Sequence, residues 1–423
     1  MGRPRDVRGG EAKPTRTYSR RSGGRITGDR LRASMLMRHS AKESLPESLR
    51  RRGEALRKRI SIAIRQRGPM PFDRYMELAL YAPGTGYYTG GLRKFGAEGD
   101  FTTAPECSPL FAGCLARQCM QVLHPGDELI EFGAGSGQLA ADLLIALDEL
   151  NSLPERYRIV ELSADLRARQ QQTLRELAPR YLEYIDWIER LPEHHDGVII
   201  ANEVLDAMPV SRFLHTGAGL MEMFVDDKEG KLKSVWHRVQ TPGLAAFIEE
   251  NVPLDSLPIP YLSEVAPRAA AWIDAIGRIP GRRLMLLIDY GYPRGEYYLP
   301  ERDQGTLMCY FRHQAHEDPL RHPGIQDITA HVDFTAVARA AQAAGMTVAG
   351  YTSQANFLLA SGLEAQLAKQ DPEDTAQWME TVQAVKILTL PSGMGERFRV
   401  MALTRGIDDA LDGFQLRDLR DRL

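Results

Sequence analysis

Two carboxylates that follow a predicted strand are the residues best placed to do chemistry. Glu203 and Asp206 come directly after the apolar run 197–201, within the sequence Asn-Glu-Val-Leu-Asp. If this turn is helical, their i, i+3 spacing puts both side chains on one face. Two such carboxylates can hold a planar cation through parallel hydrogen bonds and receive a proton from it. We therefore predict that both are catalytic, with an ion pair for Glu203 and a local cap for Asp206 as alternatives.

A third candidate catalytic carboxylate is Glu264, in Ser-Glu-Val-Ala-Pro. Capping of a helix N-terminus explains it equally well. Tyr310, His313 and His331 are candidates to line the mouth of a substrate site. The histidines are too loosely spaced for a metal set, and the cysteines lack a second close pair, so we predict no metal site.

A glycine-rich turn joins the predicted strand 128–132 to a predicted helix. It reads Glu-Phe-Gly-Ala-Gly-Ser-Gly from Glu131 to Gly137. Glycines let a ligand approach the backbone closely, and the start of a helix favours an anionic group. A dinucleotide-binding turn needs glycine at position 138, where Gln138 stands. The spacing E-x-G-x-G-x-G instead resembles the first motif of class I methyltransferases, which bind S-adenosylmethionine (SAM). A tight turn that binds no ligand is the alternative.

Further polar residues are expected to complete this nucleoside site. Glu161 ends the next predicted strand, where a carboxylate can accept both ribose hydroxyls. The segment 99–106 is expected to fold over the cofactor as a lid, although Thr103 and Glu106 could simply cap a helix. The predicted cofactor-binding residues are Asp100, Phe101, Thr102, Thr103, Glu106, Glu131, Gly133, Ala134, Gly135, Gly137, Glu161, Leu162, Asn202 and Glu203.

Composition restricts the class of protein. The chain has 423 residues, 43% hydrophobic and 26% charged, so it can bury a sizeable core. It lacks an apolar run of the roughly 18 residues that predict a membrane span. Its four cysteines do not suggest a disulfide scaffold, which suits a reducing compartment. We therefore expect a cytoplasmic protein.

The N-terminal residues differ from the rest in charge. Residues 1–34 hold ten basic and three acidic side chains, so they carry +7 and leave −10 for the remainder. Their low apolar content predicts disorder. We interpret them as a spurious upstream extension, with Met35 or Met37 as the true start. The alternative is a transit peptide that directs the protein to the mitochondrial matrix. The acidic body disfavours nucleic-acid binding and suits a basic substrate.

Strand and helix patterns alternate regularly from residue 128, which predicts a parallel sheet with helices on both faces. Alternating apolar residues between 213 and 239 flank a turn signal and predict an antiparallel insertion. The predicted divisions are a disordered tail over 1–48, a helical and lid segment over 49–127, a Rossmann-like α/β core over 128–403 with an insertion at about 211–282, and a C-terminal tail over 404–423.

Several longer motifs together resemble one family, the MidA-like methyltransferases, over roughly residues 49–403. Besides the glycine-rich turn, they are Tyr87-Tyr88, Gly99-Asp-Phe-Thr-Thr-Ala-Pro-Glu106, Asn202-Glu-Val-Leu-Asp-Ala-Met-Pro209, Asp289-Tyr-Gly-Tyr292, Gly305-Thr-Leu-Met-Cys-Tyr-Phe-Arg-His313 and Pro323-Gly-Ile-Gln-Asp-Ile-Thr-Ala-His-Val-Asp-Phe334. The resemblance implies a class I methyltransferase fold with an N-terminal helical extension, an inserted substrate-side subdomain and SAM as cofactor.

The family also includes a mitochondrial methyltransferase that symmetrically dimethylates an arginine on a respiratory complex I subunit. The resemblance therefore implies a protein substrate with an accessible arginine, such as a complex I subunit. Alternatives are another protein or small-molecule substrate, and a SAM-binding assembly factor with little turnover. A nicotinamide-dependent oxidoreductase is disfavoured by Gln138. The oligomeric state is not predicted.

Overall fold

The alternating strand and helix patterns form a mixed α/β structure around one central sheet. A computed structural model describes residues 45–90 and 103–423. Residues 1–44, which are most of the predicted tail, lie outside the described residues. The same is true of the predicted cofactor ligands Asp100, Phe101 and Thr102. Residues Glu47–Leu423 form one compact unit.

The helices over the described residues are α1 (Glu47–Arg67), α2 (Phe72–Tyr81), α3 (Ala104–Cys107), α4 (Pro109–Met120), α5 (Gln138–Glu149), α6 (Ala164–Leu177), α7 (Leu244–Asn251), α8 (Pro267–Gly277), α9 (Arg294–Tyr297), α10 (Phe334–Ala343), α11 (Gln354–Ala360), α12 (Leu363–Leu367) and α13 (Thr375–Thr389).

The strands are β1 (Met70–Pro71), β2 (Glu128–Phe132), β3 (Arg156–Val160), β4 (Ile185–Ile188), β5 (Gly197–Asn202), β6 (Ser211–Thr216), β7 (Gly219–Lys228), β8 (Lys231–Arg238), β9 (Tyr261–Val265), β10 (Arg283–Tyr292), β11 (Met308–Phe311), β12 (Gln314–His316), β13 (Asp327–Thr329), β14 (Val332–Asp333), β15 (Thr347–Ser353) and β16 (Phe398–Arg405).

The central sheet has the strand order β15-β16-β10-β5-β2-β3-β4. The strands from β10 to β4 are parallel, whereas β16 is antiparallel to both of its neighbours. The chain moves outward from β2 through β3 to β4 and then returns to the other side of β2 with β5. The order therefore reverses between β2 and β5, which is where open α/β sheets bind ligands.

Helices cover both faces of this sheet, which explains why its middle strands are almost continuously apolar. On β10, Leu284 and Leu286 pack into a core with α4 and α5. Their neighbours Met285 and Leu287 face the opposite core, formed with α8 and α10. The period of two along the strand thus divides its side chains between two hydrophobic cores.

The predicted antiparallel insertion forms a second sheet. Its strand order is β1-β7-β6-β9, and β8 also pairs with β7. The short β1 pairs antiparallel with β7, so the two N-terminal helices pack against the insertion. A third sheet, β12-β11-β13, was not predicted. Residues of the third sheet, on β11 and β13, lie at the carboxyl edge of the central sheet.

The fold class predicted from the sequence is confirmed. The division into segments at residues 49, 128 and 404 stays a prediction, although β16 extends to Arg405. Leu411 and Phe414 beyond it are buried in the core. Across the described ranges, helices long and apolar enough to cross a membrane are not found.

Candidate active site and cofactor cavity

The carboxyl ends of β2, β3, β5 and β10 meet at a cavity of about 1050 Å³. Drug-sized ligands occupy cavities of about 300–1,000 Å³, so this one has room for a cofactor and a substrate side chain together. The predicted site residues that line it are Thr103, Glu106, Glu131, Gly133, Ala134, Gly135, Glu161, Leu162, Asn202, Glu203 and Asp206. Gly137 and Glu264 do not line it.

The glycine-rich turn is shaped by positive φ angles at its three glycines. These angles are 64° at Gly133, 53° at Gly135 and 89° at Gly137, in the left-handed region that side chains disfavour. A Cβ atom on Gly137 would also lie 3.0 Å from the Cα of Gln170. Gly137 thus caps α5 and packs against α6, which is a structural role rather than a cavity contact.

Glu161 is held rigidly at the end of β3. Its Oε1 accepts a hydrogen bond from the Ser163 N–H at 2.8 Å, and its Oε2 accepts one from Gln170 Nε2 at 3.0 Å. The next residue, Leu162, is 78% exposed although it is apolar, and it also lines the cavity. A fixed carboxylate beside an exposed apolar side chain fits a ribose and the flat face of a base.

Two further carboxylates lie on the cofactor side of the cavity. Glu131 is buried and accepts a hydrogen bond from the Tyr157 hydroxyl at 2.8 Å. Burial raises the pKa of Glu131 to about 7, although the Tyr157 hydrogen bond opposes the rise. Glu106 accepts a hydrogen bond from Ser136 in the glycine-rich turn. The capping alternative for Thr103 is not seen, because its side chain makes no cap hydrogen bond to α3.

Glu203 and Asp206 are brought together, but not by a helical turn. Glu203 has a φ of 54°, and residues 203–206 have no helical hydrogen bonding. The turn is instead held by Asp289, which lies within β10 near its carboxyl end. Its Oδ2 accepts the N–H groups of Leu205 and Asp206 at 3.0 and 3.2 Å. Residues 203–206 therefore do not form the helical turn that the i, i+3 argument assumed, although both carboxylates face the same cavity.

Burial disfavours charge on these carboxylates. It raises the pKa of Asp206 to about 6 and that of Asp289 well above its usual value. Enclosure by the protein and the neighbouring Asp206 raise the pKa of Glu203 to about 8. The Tyr290 hydroxyl donates to Asp206 Oδ2, whereas Oδ1 is buried and has no partner among the described residues. A cation in the cavity would relieve this accumulation of negative charge.

Aromatic rings and a further carboxylate form the wall opposite the glycine-rich turn. Tyr81 and Tyr88 stack with their ring centroids 5.5 Å apart. The Tyr88 hydroxyl lies 3.1 Å from both carboxylate oxygens of Asp327 on β13. The Tyr290 ring contacts the ring of His331 at 5.2 Å. Aromatic faces beside carboxylates are a common environment for a planar cation.

This wall contains most of the residues that sequence reasoning missed. Asp289, Tyr88 and Asp327 belong to the motifs from which the family resemblance was drawn, and that membership was the available signal. Tyr81 lies outside these motifs and had no such signal. Of the predicted mouth residues, Tyr310 and His331 line the cavity, whereas His313 is exposed and does not.

The structure does not bring Glu264 to the cavity. Its side chain is fully buried on β9, where Oε1 accepts hydrogen bonds from the N–H and hydroxyl of Thr306 and from the Tyr297 hydroxyl. It does not cap α8 either, since the residue at that position is Ala266. The contacts of Glu264 join the second sheet to the loop before β11. They go against the catalytic role predicted for it.

Comparisons with known proteins agree with this site. Residues 114–352 match the model of a family of S-adenosyl-L-methionine-dependent methyltransferases. A crystal structure from Burkholderia thailandensis, bound to S-adenosyl-homocysteine, is 43% identical and covers 90% of this chain and 100% of that one, with a TM-score of 0.85. A native crystal structure from the same organism is 42% identical and covers 90% of this chain and 100% of that one, with a TM-score of 0.83.

Curated relatives extend over most of the chain. The mouse protein named protein arginine methyltransferase NDUFAF7, mitochondrial, is 30% identical over 80% of this chain and 82% of its own length. The homologue from Caenorhabditis elegans is 29% identical over 82% of this chain and 86% of its own length.

These names contradict the expectation of a cytoplasmic location. The curated relatives are named as mitochondrial. The expectation rested on the four cysteines, which are unpaired. Unpaired cysteines indicate a reducing compartment. Both the cytosol and the mitochondrial matrix are reducing, so the cysteines could not distinguish a cytoplasmic from a mitochondrial protein.

The residues present fit SAM as the cofactor. The glycine-rich turn lets a ligand approach the backbone, and Glu161 offers a carboxylate in a fixed orientation. The cavity beyond them is large enough for a second reactant. Residues 114–352 cover more than half of the chain in the family match. The chain belongs to the family of SAM-dependent methyltransferases.

Proposed function

We propose that this methyltransferase modifies an arginine side chain of a protein substrate. The observation that carries the proposal is the convergence of Glu203, Asp206 and Asp327 with tyrosine rings in one cavity, beside the glycine-rich turn. A guanidinium is planar, permanently charged and flanked by donors on one edge. It can lie against aromatic rings while its edge faces two carboxylates. The naming of the curated relatives as protein arginine methyltransferases supports the same substrate class.

The chain's residues divide into two sets. For the cofactor, Glu161 would hold the ribose, Leu162 would contact the base, and Gly133 to Gly135 would pack against the remaining part. When bound, SAM supplies a methyl group on a positively charged sulfur. The protein must align the acceptor nitrogen with that methyl group, and alignment alone contributes a large part of the catalysis in such displacements.

The carboxylates would orient the guanidinium and take the proton that it loses. Glu203 and Asp206 accept its N–H groups, which holds one nitrogen towards the cofactor. Asp206 is the better proton acceptor because its Oδ1 is buried without a partner among the described residues. Tyr290 keeps the other oxygen in place. The burial that raises the pKa of Asp206 also makes it a stronger base.

Symmetric dimethylation of the arginine, and a complex I subunit as the substrate, are proposed from the family resemblance alone. An assembly factor without turnover is a weaker alternative, because such a role does not need a carboxylate oxygen that is buried in the cavity without a partner among the described residues.

A test of the proposed function is to incubate the protein with trideuteromethyl SAM and a lysate from a strain that lacks the protein. Labelled arginine in a substrate protein supports the proposal, and label confined to other residues contradicts it.

The ribose contact gives a prediction about cofactor affinity. Replacing Glu161 with alanine removes two charge-assisted hydrogen bonds, worth together about 3 kcal/mol. We expect the dissociation constant of S-adenosylhomocysteine (SAH) to rise on the order of 100-fold by isothermal titration calorimetry. Glu176→Ala, an exposed glutamate on α6, is the matched control and should bind normally. An unchanged affinity in Glu161→Ala would remove Glu161 from the cofactor site.

The raised pKa values predict the pH dependence of substrate capture. A protonated carboxyl group cannot attract a guanidinium, and arginine itself does not titrate in this range. Since the pKa values of Asp206 and Glu203 are about 6 and about 8, kcat/KM should rise with pH across both values. Glu203→Gln should remove the upper rise and leave the lower one. Steady-state rates from pH 5.5 to 9.5 measure this, and a profile without change would contradict it.

A further inference from the structure

The cavity contains a positive charge that the proposed substrate does not explain. Among the described residues that line it, Arg397 is the only lysine or arginine. Its side chain is exposed and has no hydrogen bond or ion pair with another described residue. The same cavity is lined by Glu203, Asp206 and Asp327, and by three further glutamates on the cofactor side. A free cation here would repel a guanidinium unless an anion lies between them.

Arg397 lies near the aromatic wall opposite the glycine-rich turn, where the substrate is proposed to bind. Its charge acts on two of the residues there, His331 and Tyr310. Burial is the main reason that the pKa of His331 falls to about 4, and the charges of Arg302 and Arg397 lower it further. The same guanidinium opposes the rise in the pKa of Tyr310 that burial causes.

Strand register also places Arg397 away from the glycine-rich turn. It directly precedes β16, whose first residue, Phe398, pairs with Tyr290 on β10. From β16 the sheet continues through β10 and β5 to β2, which carries the turn. With neighbouring strands about 4.8 Å apart, this separation is about 14 Å across the sheet. The ring of Phe398 touches that of Tyr290, which holds Asp206, so Arg397 lies at the substrate end.

We propose that Arg397 binds a carboxylate of the substrate, so that the enzyme selects arginines with an aspartate or glutamate side chain nearby. This inference rests on the proposed function. An arginine presents a fork of donors that matches a carboxylate, and a carboxylate between Arg397 and the target guanidinium would turn repulsion into attraction on both sides. The amino-acid end of the cofactor is the other source of a carboxylate in this cavity, and the test distinguishes the two.

The test uses the full chain, trideuteromethyl SAM and a degenerate heptapeptide library with one fixed central arginine. Labelled peptides are sequenced by mass spectrometry. The wild-type enzyme should favour peptides with aspartate or glutamate at one or two positions. Arg397→Glu should reverse this to a preference for lysine or arginine there, with a change in relative kcat/KM of about tenfold. Arg397→Lys should keep the acidic preference, and Arg417→Glu, at an exposed arginine outside the cavity, should leave it unchanged.

Each other outcome has a distinct meaning. Equal sequence preferences in the wild type and Arg397→Glu would overturn the inference and leave the proposed function intact. If Arg397→Glu instead weakens SAH binding about tenfold with no change in peptide preference, the carboxylate belongs to the cofactor and the substrate assignment is wrong. If SAH binds normally and the wild-type enzyme labels no arginine in any peptide, the proposed function itself fails, and the inference with it.

Discussion

Replacing Asp206 with asparagine is expected to slow methyl transfer by about a thousandfold and to leave SAH affinity nearly unchanged. The amide keeps the shape of the side chain but cannot take a proton from the guanidinium, and general-base catalysis contributes about 10²- to 10⁴-fold. Asp206 is on the substrate side of the turn after β5, and its Oδ2 contacts Tyr290 rather than the glycine-rich turn. The measurement is single-turnover transfer with saturating SAM, so that binding and chemistry are separated.

The matched control is Asp255→Asn, which makes the same change at an exposed aspartate outside the cavity. It should transfer methyl groups at the wild-type rate. If Asp206→Asn retains more than about a tenth of the wild-type rate, Asp206 is not the proton acceptor, and Glu203 becomes the remaining candidate. If it loses SAH binding as well, the residue has a structural role in the turn.

The glycine-rich turn and the middle strands could be predicted from the sequence because their signals are local. β2, β5 and β10 are short apolar runs bounded by turn residues, and such a run is buried wherever helices cover both faces of a sheet. Gly133 to Gly137 are constrained by the backbone angles of a single tight turn. In both cases the residues that determine the local conformation are close together in the sequence, so a short stretch of sequence is enough to predict it.

Asp289 shows why the rest could not be predicted in this way. It acts on Glu203 and Asp206 because Ile288 pairs with Asn202, which places the end of β10 next to the end of β5. That pairing depends on the order of strands in the sheet, and local patterns do not determine it. Asp327 is a similar case, because its strand belongs to a third sheet, and local patterns do not show that this sheet lies beside the cavity.

Residues 203–206 do not form a helical turn, for a reason that the local sequence does not express. Glu203 adopts a φ of 54°, in the region where a residue with a Cβ atom costs about 1–2 kcal/mol. The conformation is imposed from outside, since the Glu203 N–H donates to the Ile288 carbonyl at 2.9 Å and Asp289 holds the next residues. Strain of this kind is often kept where a side chain must point in a required direction.

Glu203→Gly should therefore make the protein more stable and much less active. Glycine removes the strain of the left-handed conformation, which stabilises the folded state. It also increases the conformational entropy of the unfolded chain, which lowers the stability by about 0.5–1 kcal/mol. Loss of the carboxylate adds a pH-dependent gain. Because the folded pKa of about 8 lies above the ordinary 4.5, the folded protein holds more protons between these values, and its stability falls as pH rises across them. The net gain should be about 1 kcal/mol at pH 4.5, where the carboxylate contributes little, and larger at pH 9, measured by urea unfolding without ligand.

Two comparisons separate strain from charge. Glu203→Gln removes the charge and keeps the strain, so it should gain stability at pH 9 but little at pH 4.5. Glu229→Gly relieves a similar φ of 56° at an exposed hairpin residue, so it should gain equally at both pH values and keep full activity. Both Glu203 variants should lose about 100-fold or more in methyl transfer. A Glu203→Gly protein that is less stable than the wild type at both pH values would show that the turn is relaxed, and that strain does not position this carboxylate.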